Sequence, residues 1–167
     1  MNELDPKLNI IKTRVYDTCD FILSDYSPEK ESIEYDACQY TLNGNFVLGR
    51  SAKITPKKVG QFVTCWKRNN EGITEPYHAT DSIDFYIITV ESNQRLGQFV
   101  FPKSVLISKG IISTDKKEGK RGFRVYPPWD TVESKQAQKT QKWQVEYFYE
   151  ISDSMEMERI KQLFLLN

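Results

Sequence analysis

The sequence predicts an α+β class domain, a central mixed β-sheet flanked by helices, on three observations. Helical periodicity sits at the two ends of the chain, β-branched and aromatic runs fill the middle, and an Asn-Gly turn joins two of those runs. With 167 residues, 39% hydrophobic and 13% aromatic, the chain suits one domain over 1–167 with a sizeable core.

The elements follow in order. Asp5 can cap a first helix with Pro6 at its first position, and Leu8, Ile11, Val15 and Ile22 recur at helical spacing. Residues 33–53 read as a hairpin turning at Asn43-Gly44, with 38–42 and 46–48 as its strands. Thr55-Pro56 reads as another cap, and Val59, Phe62, Val63 and Trp66 at i, i+3, i+4 and i+7 predict a helix over 56–68. Residues 84–91 predict a buried strand, and 97–101 predict its partner. A short helix over 103–109 ends at Gly110, and a strand over 121–126 stops at Pro127-Pro128. The Gln-rich stretch 134–151 predicts a helix with Ala137, Trp143, Tyr147 and Phe148 inward, and Asp153 caps a last helix carrying Met157, Ile160 and Phe164. The tetrapeptide GQFV occurs at 60–63 and again at 97–100.

The formal net charge is zero, 23 bases against 23 acids, but the charge is segregated. Residues 1–36 carry −5, residues 37–70 carry six bases and no acid, residues 71–91 carry five acids and no base, and residues 103–124 carry +5. A polyanion responds to the local field of a patch rather than to the total. Several classes drop out. The cysteines at 19, 38 and 65 form no C-x-x-C pair and are dispersed along the chain with a single histidine at 78, so no structural zinc site is expected. The longest apolar run, 163–166, is far too short to span a membrane, so no membrane partner is expected. No Walker loop and no G-x-G-x-x-G occurs, and no cofactor is implied. His78 and Asp81 could pair, but their setting is loop-like and no elbow serine is evident.

Three clusters point to anion binding. Lys57 and Lys58 at a helix start would oppose the macrodipole unless an anion bound there. Trp66, Lys67 and Arg68 place a ring beside two bases, as base stacking with phosphate contact requires. Lys120, Arg121, Phe123, Arg124 and Tyr126, closing on Trp129, make a basic-aromatic strand, which Gln136, Lys139, Gln141 and Lys142 could extend into a groove. Arg50 and Lys53 are possible additions to the phosphate contacts. A Mg²⁺-dependent nuclease would use Glu34, Asp36 and Lys53, but Ser51 stands where its second carboxylate belongs.

The phrases Arg50-x-Ala52-Lys53-x-Thr55-Pro56-Lys57-Lys58-x-Gly60-Gln61-Phe62-Val63 and Trp66-Lys67-Arg68 resemble the signature of the MepB family. So do Asp84-Phe85, 97–103, Gly110-Ile111, 121–127 and the Gln136 to Gln144 run, so the resemblance covers about residues 34–150. It implies a small bacterial cytoplasmic protein, of a family some of whose members are encoded beside a MATE-type multidrug efflux pump and its MarR-type repressor. It also implies a restriction-endonuclease-like core and nucleic-acid binding. The expectation is a non-catalytic binder of DNA or RNA. A Mg²⁺-dependent nuclease and a small-molecule binder, of nucleobases or cationic drugs, are the alternatives.

Overall fold

The structure, a computed structural model, describes residues 3–165. The first helix, α1 (Pro6–Ile11), is capped by Asp5, whose Oδ1 accepts from the Leu8 amide at 3.0 Å. It continues as a wider π-helical turn over Lys12–Tyr16. Leu8, Ile11 and Val15 face the core as predicted, but Ile22 lies beyond the helix and is exposed. The chain there enters β1 (Leu23–Pro28), a strand whose polar residues give no alternation to read. β2 (Cys38–Leu42) and β3 (Asn45–Ser51) form the predicted hairpin, with Asn43 and Gly44 at φ of 51° and 81° as a type I′ turn needs.

The predicted helix over 56–68 is corrected to strands. β4 (Lys53–Thr55) turns at Pro56-Lys57 into β5 (Lys58–Thr64), and β6 (Trp66–Arg68) pairs with β7 (Thr74–Pro76). Val59, Phe62, Val63 and Thr64 favour a pleated surface, and Gly60 at φ 83° has left the helical region. The apparent helical stripe is undone by Val59, which is exposed. No helix start exists at Lys57 and Lys58, so the macrodipole argument for an anion there falls.

β8 (Phe85–Ser92) and β9 (Arg95–Pro102) are the two predicted middle strands. They lead into α2 (Lys103–Ser108), and β10 (Gly122–Val125) follows. α3 (Lys135–Gln144), capped by Ser134, ends seven residues before the predicted limit. A tight turn over Val145–Tyr147 then delivers Phe148 to β11 (Phe148–Glu150), not to a helix face. The last helix, α4 (Met157–Leu163), starts at Glu156; Asp153 instead pairs with Arg14 at 3.2 Å.

The main sheet runs β1-β2-β3-β8-β9-β11, with β3 and β8 parallel and every other pair antiparallel, so the mixed sheet is as predicted. A second sheet, β10-β5-β4, was not foreseen. Alternation along β8 splits the core: Phe85 and Ile87 meet α1 and α4, while Tyr86, Ile88 and Val90 meet β5, β10 and α2. Each such side chain, when fully buried, contributes about 1.5–3 kcal/mol.

The two copies of GQFV share the burial of their glutamine and valine but not the hydrogen bonding, since Gln61 Nε2 donates to the Glu91 carbonyl at 3.2 Å and its Oε1 is buried without a partner. Gln61 and Gln98 are buried, and Val63 and Val100 are fully enclosed in the core. A Cβ at Gly60 would meet the Tyr126 ring at 2.6 Å, and Gly97 likewise admits the Phe148 ring against its strand. Gln98 Oε1 accepts from Tyr16 and Tyr149 hydroxyls at 3.2 and 2.5 Å, and its Nε2 donates to Thr89 at 3.0 Å. That buried network is satisfied, which is the condition for polar groups to sit between hydrophobic layers.

Candidate nucleic-acid interface

The Gln-rich helix earns its composition by clamping the strand below it. Gln144 is fully buried and acts as a short extension of β10: its Oε1 accepts from the Tyr126 amide at 2.8 Å and its Nε2 donates to the Arg124 carbonyl at 2.9 Å. One turn back, Gln141 donates to the carbonyls of Pro127 and Asp130 at 2.9 and 3.0 Å, and Gln138 donates to Val132 at 3.2 Å. Spaced at i, i+3 and i+6, the three amides hold the segment after β10 against α3.

Between β10 and α3 this leaves a depression of about 310 Å³. Lys109, Lys120, Arg124, Gln136, Thr140 and Trp143 are among the residues lining it, and no carboxylate does. A second depression of about 430 Å³ shares Arg124, Tyr126, Ser134 and Ala137 with the first and reaches Lys58 and Val59 at the β4–β5 turn. Glu133 is the one carboxylate in its wall. Lys109 Nζ lies 5.2 Å from the centre of the Trp143 ring. Among the described residues, neither Lys109 nor Lys120 makes an ion pair, and Lys57 and Lys58 are exposed. Arg124 sits in the same wall but is engaged, donating to Thr55 Oγ1 at 2.6 Å and to the carbonyls of Val59 and Gly60 at 3.3 and 3.4 Å. It fixes the β4–β5 turn to β10.

The remaining predicted residues lie elsewhere. Arg50 is enclosed, 4% exposed, 2.5 Å from Glu29 Oε2, donating to the Gly49 carbonyl at 2.8 Å and the Tyr77 hydroxyl at 3.3 Å. Burial works against its charge, but the nearby Tyr86 and Glu29 outweigh that and hold the guanidinium protonated. Burial likewise pushes the Tyr77 hydroxyl up to about 12, so it stays neutral beside that charge. Lys67 pairs with Asp81 at 2.7 Å and Glu75 at 3.7 Å. Arg68 holds Glu31 through Nε and Nη2 at 2.9 and 2.5 Å and stacks over Trp66 at 5.5 Å. Arg121 meets Glu118 at 3.3 Å, and Lys53 lies 5.2 Å from the Tyr35 ring centre. Phe123 is a core residue against Tyr86 and Phe101, and Trp129 packs on Phe148 beneath Arg95, which is 4.7 Å from its ring centre.

The structure therefore gathers Lys58, Lys120, Arg124 and Tyr126, with Phe123 beneath them, and separates them from Trp66, Lys67 and Arg68. Sequence reasoning missed Lys109 and took Trp143 as core alone. Their pairing joins the end of α2 to α3 across 34 positions, with no local signal. Of the alternative nuclease residues, Asp36 lies 3.9 Å from Lys7 and Lys53 lies 5.2 Å from the centre of the Tyr35 ring, the residue between Glu34 and Asp36; among the described residues no group of three His, Cys, Asp or Glu side chains is placed to hold a metal ion. His78 is occupied by Thr80 at 3.0 Å and Asp115 at 3.3 Å. Among the described residues no helix is long and apolar enough to cross a membrane.

The fold and groove define an α+β domain with a carboxylate-free basic cleft on one side of its sheet. The MepB-like family matches residues 29–150, and the chain belongs to that family. A solved structure described as the crystal structure of MepB is 36% identical, with a TM-score of 0.76 over 80% of this chain and 89% of that one. A bacterial homing endonuclease, I-Ssp6803I, aligns at 16% identity and a TM-score of 0.44 over 82% of this chain and 88% of that one, too distant to bear on chemistry. No curated protein matches the chain.

Proposed function

We propose that this protein binds nucleic acid, DNA or RNA, along the groove between β10 and α3. The observation that carries the reading is that Lys109 and Lys120 line a cleft with no carboxylate in it, without ion-pair partners among the described residues. Unpaired cations facing a cleft raise the local anion concentration, and phosphates are the anions that repeat along a strand. Lys58 lines the second depression, and the exposed Lys57 stands next to it in the β4–β5 turn. Trp143 and Tyr126 supply rings on which bases can stack, each worth about 1–3 kcal/mol if used. Recognition on these terms follows backbone and ring faces rather than sequence.

The test is fluorescence anisotropy with labelled single- and double-stranded DNA and RNA at several salt concentrations. Affinity is expected to fall steeply with salt, with a slope of about 0.7–0.9 per phosphate contacted. Binding that is flat between low and moderate salt contradicts the proposal.

A further inference from the structure

On another part of the surface lies a cavity of about 370 Å³ bounded by the end of β1, β2, β3, β6 and Tyr77. Its cations are spoken for. Arg50 pairs with Glu29, Arg68 with Glu31, and Lys67 with Asp81, leaving Lys30 as the one lining base without an ion pair among the described residues. With two carboxylates in its own wall, this cavity is a poor place for a polyanion. It is built instead for a ligand that is planar, polar at one edge and nearly uncharged.

Two features say so. The wall is a flat platform, the Trp66 ring with the Arg68 guanidinium 5.5 Å from its centre, and Arg68 is locked there by Glu31 and by the Gly72 carbonyl at 2.7 Å. Rings and guanidinium planes are the surfaces on which bases stack in single-strand recognition. The floor is a row of mixed donors and acceptors. Gln39 Nε2 donates to Glu29 Oε1 at 3.1 Å, and Arg50 Nη2 donates to the Tyr77 hydroxyl. Arg50, one of the lining residues, keeps a buried Nε without a hydrogen bond, while Glu29 Oε2 is taken by the 2.5 Å ion pair to Arg50 Nη1. A buried donor left without a hydrogen bond is uncommon in native proteins and points to a further partner. A nucleobase offers both a face for the platform and an edge of donors and acceptors for the floor.

We propose that this cavity takes a single nucleobase, either of a free nucleoside or of one nucleotide in a strand. The site stands apart from the groove, and its electrostatics differ: polyanion binding falls steeply with salt, whereas binding of an uncharged nucleoside here is nearly salt-independent.

Calorimetry on the intact protein with guanosine, adenosine, uridine and cytidine, at low and moderate salt, tests it. At least one nucleoside is expected to bind with an affinity that salt barely changes, and Trp66→Ala and Gln39→Leu are each expected to weaken it roughly tenfold or more. Thermal melts of both variants establish that they remain folded. An oligonucleotide arm tells the sources apart: a matching loss in Trp66→Ala places the base in a strand, and an unchanged affinity assigns the cavity to the free nucleoside. Absence of binding by all four nucleosides at millimolar concentration overturns the proposal, as does binding that survives both substitutions.

Discussion

The two basic stretches of the chain meet opposite fates on folding. The stretch 37–70 carries six bases and no acid, yet three of the six are cancelled by acids brought from the neighbouring segments: Glu29 to Arg50, Glu31 to Arg68, and Asp81 with Glu75 to Lys67. The stretch 103–124 keeps more of its charge. Lys109, Lys116, Lys117 and Lys120 have no carboxylate partner among the described residues, and Arg124 spends its hydrogen bonds on neutral oxygens. The difference teaches that a basic run in sequence measures supply, and that the acids folded against it decide what field remains. Half of the first stretch is wired into structure while its Lys57 and Lys58 stay exposed, and Lys109, Lys120 and Arg124 of the second line a cleft.

Substitutions can break that contrast. The largest expected effect is on stability at Arg50. Arg50→Met leaves Glu29 beside a buried apolar group and is expected to cost about 3–5 kcal/mol in urea unfolding, without altering the salt slope of oligonucleotide binding in the folded fraction. Gln144→Leu comes next. It strands the Tyr126 amide and the Arg124 carbonyl, so about 2 kcal/mol of stability should go, together with some affinity for oligonucleotide as α3 loosens from β10. Lys109→Ala with Lys120→Ala should change stability by no more than about 0.5 kcal/mol while lowering the salt slope by about 1.4–1.8 units. The smallest effect belongs to Lys67→Ala with Arg68→Ala, whose charges are already paired: the salt slope should stay within about half a unit of the parent.

Much of this was legible in the sequence, for reasons that differ by element. The hairpin at Asn43-Gly44 could be read because its turn chemistry is local, and β8 because a run such as DFYIITVE suits a strand buried on both faces. The stretch 56–68 was misread because Val59, Phe62, Val63 and Trp66 fit a helical period by coincidence; Gly60 and the β-branched residues held the better signal. The glutamines of α3 announced a helix but not their use, since each reaches a carbonyl or amide in a segment 6 to 20 residues earlier. Of the candidate site, Lys120, Arg124 and Tyr126 were readable as a basic-aromatic strand. Which cations of 37–70 would be neutralised was not, because the partners lie 8 to 37 positions away.

The central claim is that the unpaired lysines of the β10–α3 groove, and not the paired cations around Trp66, hold the polyanion. The most direct measurement is the salt dependence of oligonucleotide affinity, by anisotropy, for the parent protein and the two double variants side by side. The account predicts a slope lowered by about 1.4–1.8 units in Lys109→Ala/Lys120→Ala and one within about half a unit of the parent in Lys67→Ala/Arg68→Ala. The reverse pattern, with the slope falling only when Lys67 and Arg68 are removed, would contradict it.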